Sequence, residues 1–118
     1  MPSQRRHVRA ALHNEALANA LLGAGMSPPW AVVLSFCAAL HWVDALLAQS
    51  RIHPQAHDER NRYVLRVQQL SPIRLQYRTL ETRSREARYD LVNFSSEEAA
   101  DLISGHLADV RGHIQRLL

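Results

Sequence analysis

The sequence predicts an all-α fold, an antiparallel up-and-down bundle of four to five helices. Apolar residues recur at helical spacing in several segments, and Gly, Pro and Ser residues separate those segments. No segment alternates apolar and polar residues with the period of a strand. Short connections favour antiparallel neighbours. With 118 residues the chain has the usual length of one domain, so we assign residues 1–118 to a single bundle.

The first two helices have clear start and stop signals. The first should run from about Ser3 to Ala24, because Gly-Ala-Gly at 23–25 is a typical stop. Ser27 and the two prolines after it should cap and begin the second helix, which continues to about Gln49. A core stripe at spacings of four, three and four follows within it, formed by Phe36, Leu40, Val43 and Leu47.

Three more helices are predicted in the second half. The third covers about 55–69 and is broken by Ser71-Pro72. The fourth covers about 72–89, and one continuous apolar face runs along it, formed by Ile73, Tyr77, Leu80, Ser84, Ala87 and Leu91. The last begins with a capping box in which Ser95 caps and Glu98 reaches back. Its apolar stripe consists of Ala100, Ile103, Leu107, Val110, Ile114 and Leu117.

The charge of the chain is unevenly distributed. All 14 basic residues are arginine, and the formal net charge is +3. Residues 51–90 hold nine arginines and five acids, a net of +4, whereas residues 91–118 hold two arginines and four acids, a net of −2. This asymmetry indicates an acidic or phosphate-bearing partner for the middle segment, or basic and acidic faces that meet within a dimer.

The second helix could be mistaken for a membrane span. Its apolar run at 30–48 approaches spanning length, but His41 and Asp44 lie inside it, and a central aspartate costs about 3 kcal/mol in a bilayer. We therefore expect a buried helix, no contact with a membrane and a cytoplasmic location. The polar N-terminal segment gives no signal peptide, and the single Cys37 allows no disulfide within the chain.

His41 and Asp44 are the first candidate functional pair. They are three residues apart, so their side chains can meet on one face of the second helix. A carboxylate beside a histidine could hold its tautomer for work as a base. Alternatively, the two form a buried polar pair bonded to arginines of a neighbouring helix.

The fourth helix carries the second candidate group, a polar stripe beside its apolar face. Guanidinium groups in such a row could grip phosphate oxygens, and Tyr77 and Tyr89 could offer rings for base stacking. The alternative is a solvated face with ion pairs between neighbouring turns. The stripe consists of Arg74, Arg78, Glu81, Arg85 and Arg88.

Arg51 and His57, with five residues between them, are the third candidate. Arginine can stabilise the charged phosphorane of RNA cleavage, and histidine can move the proton of the 2′-hydroxyl. The histidines of the last helix, His106 and His113, are too far apart along it to share one metal ion easily. No glycine-rich phosphate loop is present. We therefore expect neither a metal site nor a cofactor.

Two segments resemble HEPN domains, small helical bundles of mainly prokaryotic proteins. Residues 34–61 are similar to the second helix and following turn of one branch, and residues 77–90 to its segment ending in Tyr-Asp. The opening of the last helix at 96–100 also fits that branch, so the resemblance covers about residues 8–118. The matching residues of the first two segments are Phe36, Ala38 or Ala39, His41, Ala45, Leu46, Leu47, Pro54, His57, Tyr77, Leu80, Arg85, Ala87, Tyr89 and Asp90.

The resemblance implies a bundle that commonly dimerises, with a cleft between its subunits. Many HEPN proteins are metal-independent ribonucleases, often toxins encoded beside a small nucleotidyltransferase antitoxin, and those carry R-x4-6-H on a late helix. Here no histidine follows the arginines of the fourth helix before Asp90, and in the middle region only Arg51 and His57 fit that spacing.

We therefore expect a non-catalytic, homodimeric HEPN-like module that binds nucleotide, RNA or a nucleotidyltransferase. The alternative is a metal-independent endoribonuclease with His57 or His41 as base and Arg51 or Arg85 stabilising the phosphate. The expected binding residues are His41, Asp44, Tyr77, Arg78, Arg85, Arg88 and Tyr89.

Overall fold

The computed structural model describes residues 2–118, and over that range the chain is an all-α bundle without a β-strand. This confirms the predicted fold class. A 3₁₀ segment at Gln68–Ile73 joins the third and fourth helices, and a π turn at Ile103–Leu107 interrupts the last one. In chain order the helices are α1 (Gln4–Gly23), α2 (Pro28–Gln49), α3 (His57–Arg66), α4 (Arg74–Arg88) and α5, which joins Ser96–Leu102, the π turn and Ala108–Leu117.

Helix α2 is the centre of the bundle, because α1, α4 and α5 all pack against it. Its length and composition would suffice to cross a membrane, yet 72% of its most apolar 18-residue window is buried inside the protein. Trp42 and Val43 are completely buried in its middle. The apolar character of α2 therefore serves the core of the bundle, and the surrounding helices present their polar faces outward.

Of the two N-terminal caps predicted from the sequence, the capping box at Ser95 is confirmed, whereas Ser27 forms no side-chain cap. The Oγ of Ser3 accepts from the backbone N–H of Arg6 at 3.3 Å, and Ser95 and Glu98 form the predicted capping box. Ser27 differs from the prediction, because its side chain makes no capping hydrogen bond and its backbone is left-handed with φ 42°. The prolines at the first two helical positions have no N–H to offer that side chain.

Helix α3 is shorter than predicted, ending at Arg66 instead of near residue 69. Pro72 has no N–H and disfavours helical backbone before it, so a 3₁₀ segment replaces the last turn. Arg74 then closes the end of α3, donating from Nε to the Val64 carbonyl at 2.5 Å and from an Nη to the Val67 carbonyl at 3.1 Å. The guanidinium group of Arg74 therefore has a structural role, because two of its nitrogens donate to backbone carbonyls.

The core stripe of α5 differs from the prediction at one alanine. Ala99 is completely buried and Ala100 is exposed, the reverse of the predicted stripe. Ala99 lies one α-helical turn before Ile103 and therefore shares its buried face. The other predicted core positions on this helix, apart from the half-buried Leu117, are buried as expected.

Candidate functional site

A cleft of about 210 Å³ lies where α4 faces α2 and the start of α3. We call it the inner cleft. Four of its residues, His57, Arg85, Arg88 and Tyr89, are site residues predicted from the sequence, and the fold brings them together from the start of α3 and the end of α4. The residues that line the inner cleft are Phe36, His57, Glu81, Ser84, Arg85, Arg88 and Tyr89.

Glu81 is the buried anion of the inner cleft, with only 4% of its surface exposed. Its two carboxylate oxygens accept from the side-chain amide of Asn61 at 3.3 and 3.1 Å. Arg78 lies 3.3 Å from one oxygen and Arg85 lies 3.9 Å from the other, which confirms the ion pairs between neighbouring turns. The negative charge of Glu81 is thus balanced within the fold, and its pairs orient the arginines of α4.

Arg88 and Tyr89 form the outer wall of the inner cleft. The guanidinium carbon of Arg88 lies 5.1 Å from the centre of the Tyr89 ring, a cation–π contact, and 69% of Tyr89 is exposed. No carboxylate in residues 2–118 lies within ion-pair distance of Arg88. Its hydrogen-bond donors and positive charge are therefore available to a ligand.

His57 stands at the opposite side of the inner cleft, exposed in the first turn of α3. Its ring centre lies 6.0 Å from that of Phe36, and its Nδ1 lies 3.5 Å from an Nη of Arg60. This contact is at the long limit of a hydrogen bond, and arginine can only donate in it.

Asp44 lies below this surface in a buried ion pair with Arg60. The Nε of Arg60 donates to Oδ1 at 2.7 Å and an Nη donates to Oδ2 at 3.0 Å, and both residues are less than a tenth exposed. Burial by itself would lower the pKa of Arg60, but the bonds and charge of Asp44 outweigh it and raise that pKa. The predicted pairing with an arginine of a neighbouring helix is thus confirmed, and both oxygens of Asp44 are occupied, so it is a structural residue.

His41 lies away from the inner cleft and contacts α1 instead. Its Nδ1 is 3.1 Å from the Nδ1 of His7, which is 8% exposed. No hydrogen bond joins His41 to Asp44 among the described residues, so Asp44 does not orient the imidazole through a bond. His7 was not identified from the sequence, because a lone histidine on a polar helix carries no signal for a contact 34 residues away.

Tyr77 and Arg51, two further predicted site residues, do not line the inner cleft. Tyr77 is completely buried, its ring centre is 5.6 Å from that of Phe36, and its hydroxyl has no hydrogen-bond partner. Burial raises the pKa of Tyr77 far above its ordinary value. It therefore supports the cleft from beneath and cannot offer its face to a base. Arg51 is exposed in the turn after α2 and does not line the inner cleft, so of the Arg51–His57 pair only His57 does.

A second cavity, of about 340 Å³, adjoins the inner cleft and shares Arg88 and Tyr89 with it. We call it the outer groove. Trp30 and Leu91 were not predicted as site residues, although Trp30 lies off the core stripe of α2 and could have been recognised by that. The residues that line the outer groove are Pro29, Trp30, Val33, Ala87, Arg88, Tyr89 and Leu91.

A further cavity of about 410 Å³ lies against α5 and contains none of the predicted site residues. Its charged lining is mainly acidic, with Glu98, Asp101 and Asp109 against a single arginine, Arg83. Within residues 2–118, no group of three or more His, Cys, Asp or Glu side chains is placed to hold a metal ion.

Comparison of the chain with protein-family models, with curated proteins and with solved structures finds no match, so the resemblance to HEPN domains stays a prediction that rests on the residues quoted above.

Proposed function

We propose that this chain is a binding module for a nucleotide or RNA, whose phosphate occupies the inner cleft. The observation that carries the proposal is the convergence of Arg85, Arg88 and His57 on one cleft beside the exposed ring of Tyr89. Arg85 keeps only a long contact of 3.9 Å to Glu81, and Arg88 has no carboxylate partner among the described residues. Both can turn toward an incoming anion.

The chemistry of these side chains suits a phosphate ester with an attached base. A guanidinium group presents parallel N–H donors that match two phosphate oxygens, and such charge-assisted bonds are stronger than neutral ones. An exposed aromatic ring offers a base a surface for stacking. Arg78 and Asn61 already neutralise and bond Glu81, which reduces the repulsion that its carboxylate would exert on a phosphate.

The wider setting of the module is proposed from the sequence. As a HEPN-like bundle it would work in the cytoplasm as a homodimer, and a nucleotidyltransferase would be a natural protein partner. The burial of α2 inside the bundle supports a role away from membranes. Binding requires no residue of the Arg51–His57 pair to be catalytic.

A second candidate function is a metal-independent endoribonuclease. It is favoured by one observation, the presence of His57 and Arg85 in the same cleft. In this role His57 would take the proton of a ribose 2′-hydroxyl, whose oxygen attacks the adjacent phosphorus and forms a 2′,3′-cyclic phosphate. The P–O5′ bond breaks, and the 5′-oxygen leaves with a proton from water, while Arg85 would stabilise the negative charge on the non-bridging phosphoryl oxygens. Arg85 replaces Arg51 here, because Arg51 does not line the inner cleft.

The binding proposal is tested by fluorescence anisotropy with labelled RNA in EDTA at several salt concentrations. We expect affinity to fall as salt rises, and the double variant Arg85→Gln/Arg88→Gln to bind about tenfold more weakly or worse. The matched control is Arg5→Gln/Arg9→Gln, which removes the same charge from exposed positions of α1. Equal losses in both variants would mean that net charge alone attracts RNA and would contradict a site in the inner cleft.

The ribonuclease candidate is tested in the same EDTA buffer by gel analysis of the RNA after incubation. Cleavage that disappears in His57→Gln but persists in Arg51→Gln would identify the inner cleft as a catalytic site. RNA that is bound and stays intact would leave the binding module as the function.

A further inference from the structure

The outer groove exposes aromatic and aliphatic side chains beside the arginines of the inner cleft. Trp30 is 59% exposed, Tyr89 is 69% exposed and Leu91 is 84% exposed. Among residues 2–118, neither Trp30 nor Tyr89 packs against another aromatic ring. Arg88 covers one face of the Tyr89 ring, and most of the remaining surface of Tyr89 and of Trp30 is exposed to solvent.

Leu91 adds backbone strain to this exposed surface. Its backbone is left-handed with φ 55°, a conformation that is strained for a residue with a side chain. Its side chain also remains in water, so burial does not offset that strain. A cluster of exposed apolar side chains with a charged rim is typical of a surface that a ligand or partner covers.

The sizes of the two cavities indicate how a ligand would divide between them. The inner cleft has a volume of about 210 Å³, below the roughly 300–1,000 Å³ of small-molecule sites, whereas the outer groove has about 340 Å³. The inner cleft suits a phosphate group better than a whole nucleotide. Because Arg88 and Tyr89 line both cavities, a ligand can pass from one to the other without leaving the surface.

The occupant must therefore carry a phosphate next to a flat apolar group with an open face. A nucleotide base meets this description only when it is unpaired and unstacked, because each base face in a duplex is covered by its neighbours. Bases stack readily on aromatic rings and on arginine planes in proteins that bind single strands. The Arg88–Tyr89 pair presents both kinds of surface.

We propose that the ligand of this site is single-stranded RNA, with one unpaired base against Trp30 and Tyr89 in the outer groove and its phosphate in the inner cleft. This inference rests on the proposed function and adds to it the strandedness of the ligand and the role of Trp30.

The test compares a 12-nucleotide unstructured RNA with its perfect duplex, and uses inorganic tripolyphosphate as an anion without a base. We expect the single strand to bind at least about tenfold more tightly than the duplex, and Trp30→Ala to weaken single-strand binding about tenfold. Trp30→Ala should leave tripolyphosphate binding unchanged. The emission of Trp30 should be quenched by the single strand, while that of the fully buried Trp42 should not change.

Two variants control this experiment. Leu75→Ala removes a side chain that is 75% exposed on α4 and lines neither cavity, so it should change nothing. Trp30→Phe keeps an aromatic face and should retain most of the affinity for the single strand. This conservative variant also keeps the test valid if Trp30→Ala folds poorly.

The outcomes separate this inference from the proposed function. Equal affinity for duplex and single strand, or full RNA affinity in Trp30→Ala together with a loss in Arg85→Gln/Arg88→Gln, would overturn the stacking site and leave the phosphate site standing. If the wild-type protein bound neither RNA nor tripolyphosphate, both the stacking site and the phosphate site would be overturned.

Discussion

The Nδ1 atoms of His7 and His41 lie 3.1 Å apart and join α1 to α2 inside the bundle. One of these nitrogens must donate and the other accept, so at least one of the two rings has to be neutral. Burial lowers the pKa of both histidines, the charge of His7 further lowers the pKa of His41, and the charge of His53 further lowers the pKa of His7. The charge of Asp44 raises the pKa of both histidines, whereas the charge of Arg60 lowers it further.

The first prediction concerns the pH dependence of stability. Since the folded-state pKa values of His7 and His41 lie below their ordinary value near 6.5, the unfolded chain binds more protons as the solution is acidified. The stability that the neutral histidines contribute is fully present above about pH 6.5. It is lost as the pH falls through the pKa values of His7 and His41 in the folded protein. We expect the free energy of unfolding to decrease by about 1 kcal/mol between pH 7 and pH 5, measured by urea denaturation.

Two variants check that these histidines cause the loss. His7→Gln/His41→Gln should reduce the pH dependence, because neither replacement side chain can take up a proton. His13→Gln, at an exposed position of α1, should leave it as in the wild type. A profile that stays equally steep in the double variant would contradict the assignment.

The second prediction concerns the buried pair of Asp44 and Arg60. Asp44→Ala leaves the guanidinium of Arg60 buried without its partner, so we expect a loss of about 3–5 kcal/mol in the free energy of unfolding. Urea titration followed by circular dichroism measures it. The double variant Asp44→Leu/Arg60→Met removes both charges and should lose much less. An unchanged midpoint in Asp44→Ala would be incompatible with the ion pair.

The third prediction concerns Arg51, whose backbone is left-handed with φ 59°. It closes α2 by donating its N–H to the Ala48 carbonyl, and Ile52 donates to Leu47, both at 3.0 Å. This end motif normally has glycine at the left-handed position. Arg51→Gly should therefore raise the free energy of unfolding by about 1 kcal/mol, measured by urea denaturation.

The control for Arg51 is Arg51→Ala, which removes the side chain but keeps the Cβ. It should show no gain, since the backbone strain remains. If Arg51→Gly instead destabilised the protein, the guanidinium group would have a structural role that outweighs the strain.

The fourth prediction concerns the hydroxyl of Tyr77, which is buried without a hydrogen-bond partner. Tyr77→Phe removes that unsatisfied group and keeps the ring against Phe36. We expect stability to be unchanged or higher by about 1 kcal/mol in thermal and urea unfolding. Tyr89→Phe, at an exposed ring, is the neutral control for stability. A clear loss in Tyr77→Phe would show that the hydroxyl is bonded.

The candidate site could be predicted in part. The stripe of arginines on α4 was visible because residues three and four apart share a helix face, and Arg85, Arg88 and Tyr89 do lie together. Tyr77 belongs to the same helix but faces the core, as its place on the apolar stripe already indicated. That stripe predicted burial, and burial excludes Tyr77 from stacking with a base.

The sequence by itself determined the helices, most of their ends and the all-α bundle, because periodicity and capping act within a few residues along the chain. Only the tertiary structure decided that Asp44 meets Arg60, 16 residues away, and that His41 meets His7, 34 residues away. It also decided that Trp30 and Leu91 line one groove together with Arg88. Those contacts depend on how the helices are placed against one another, which is set by the packing of the whole core and not by any local pattern.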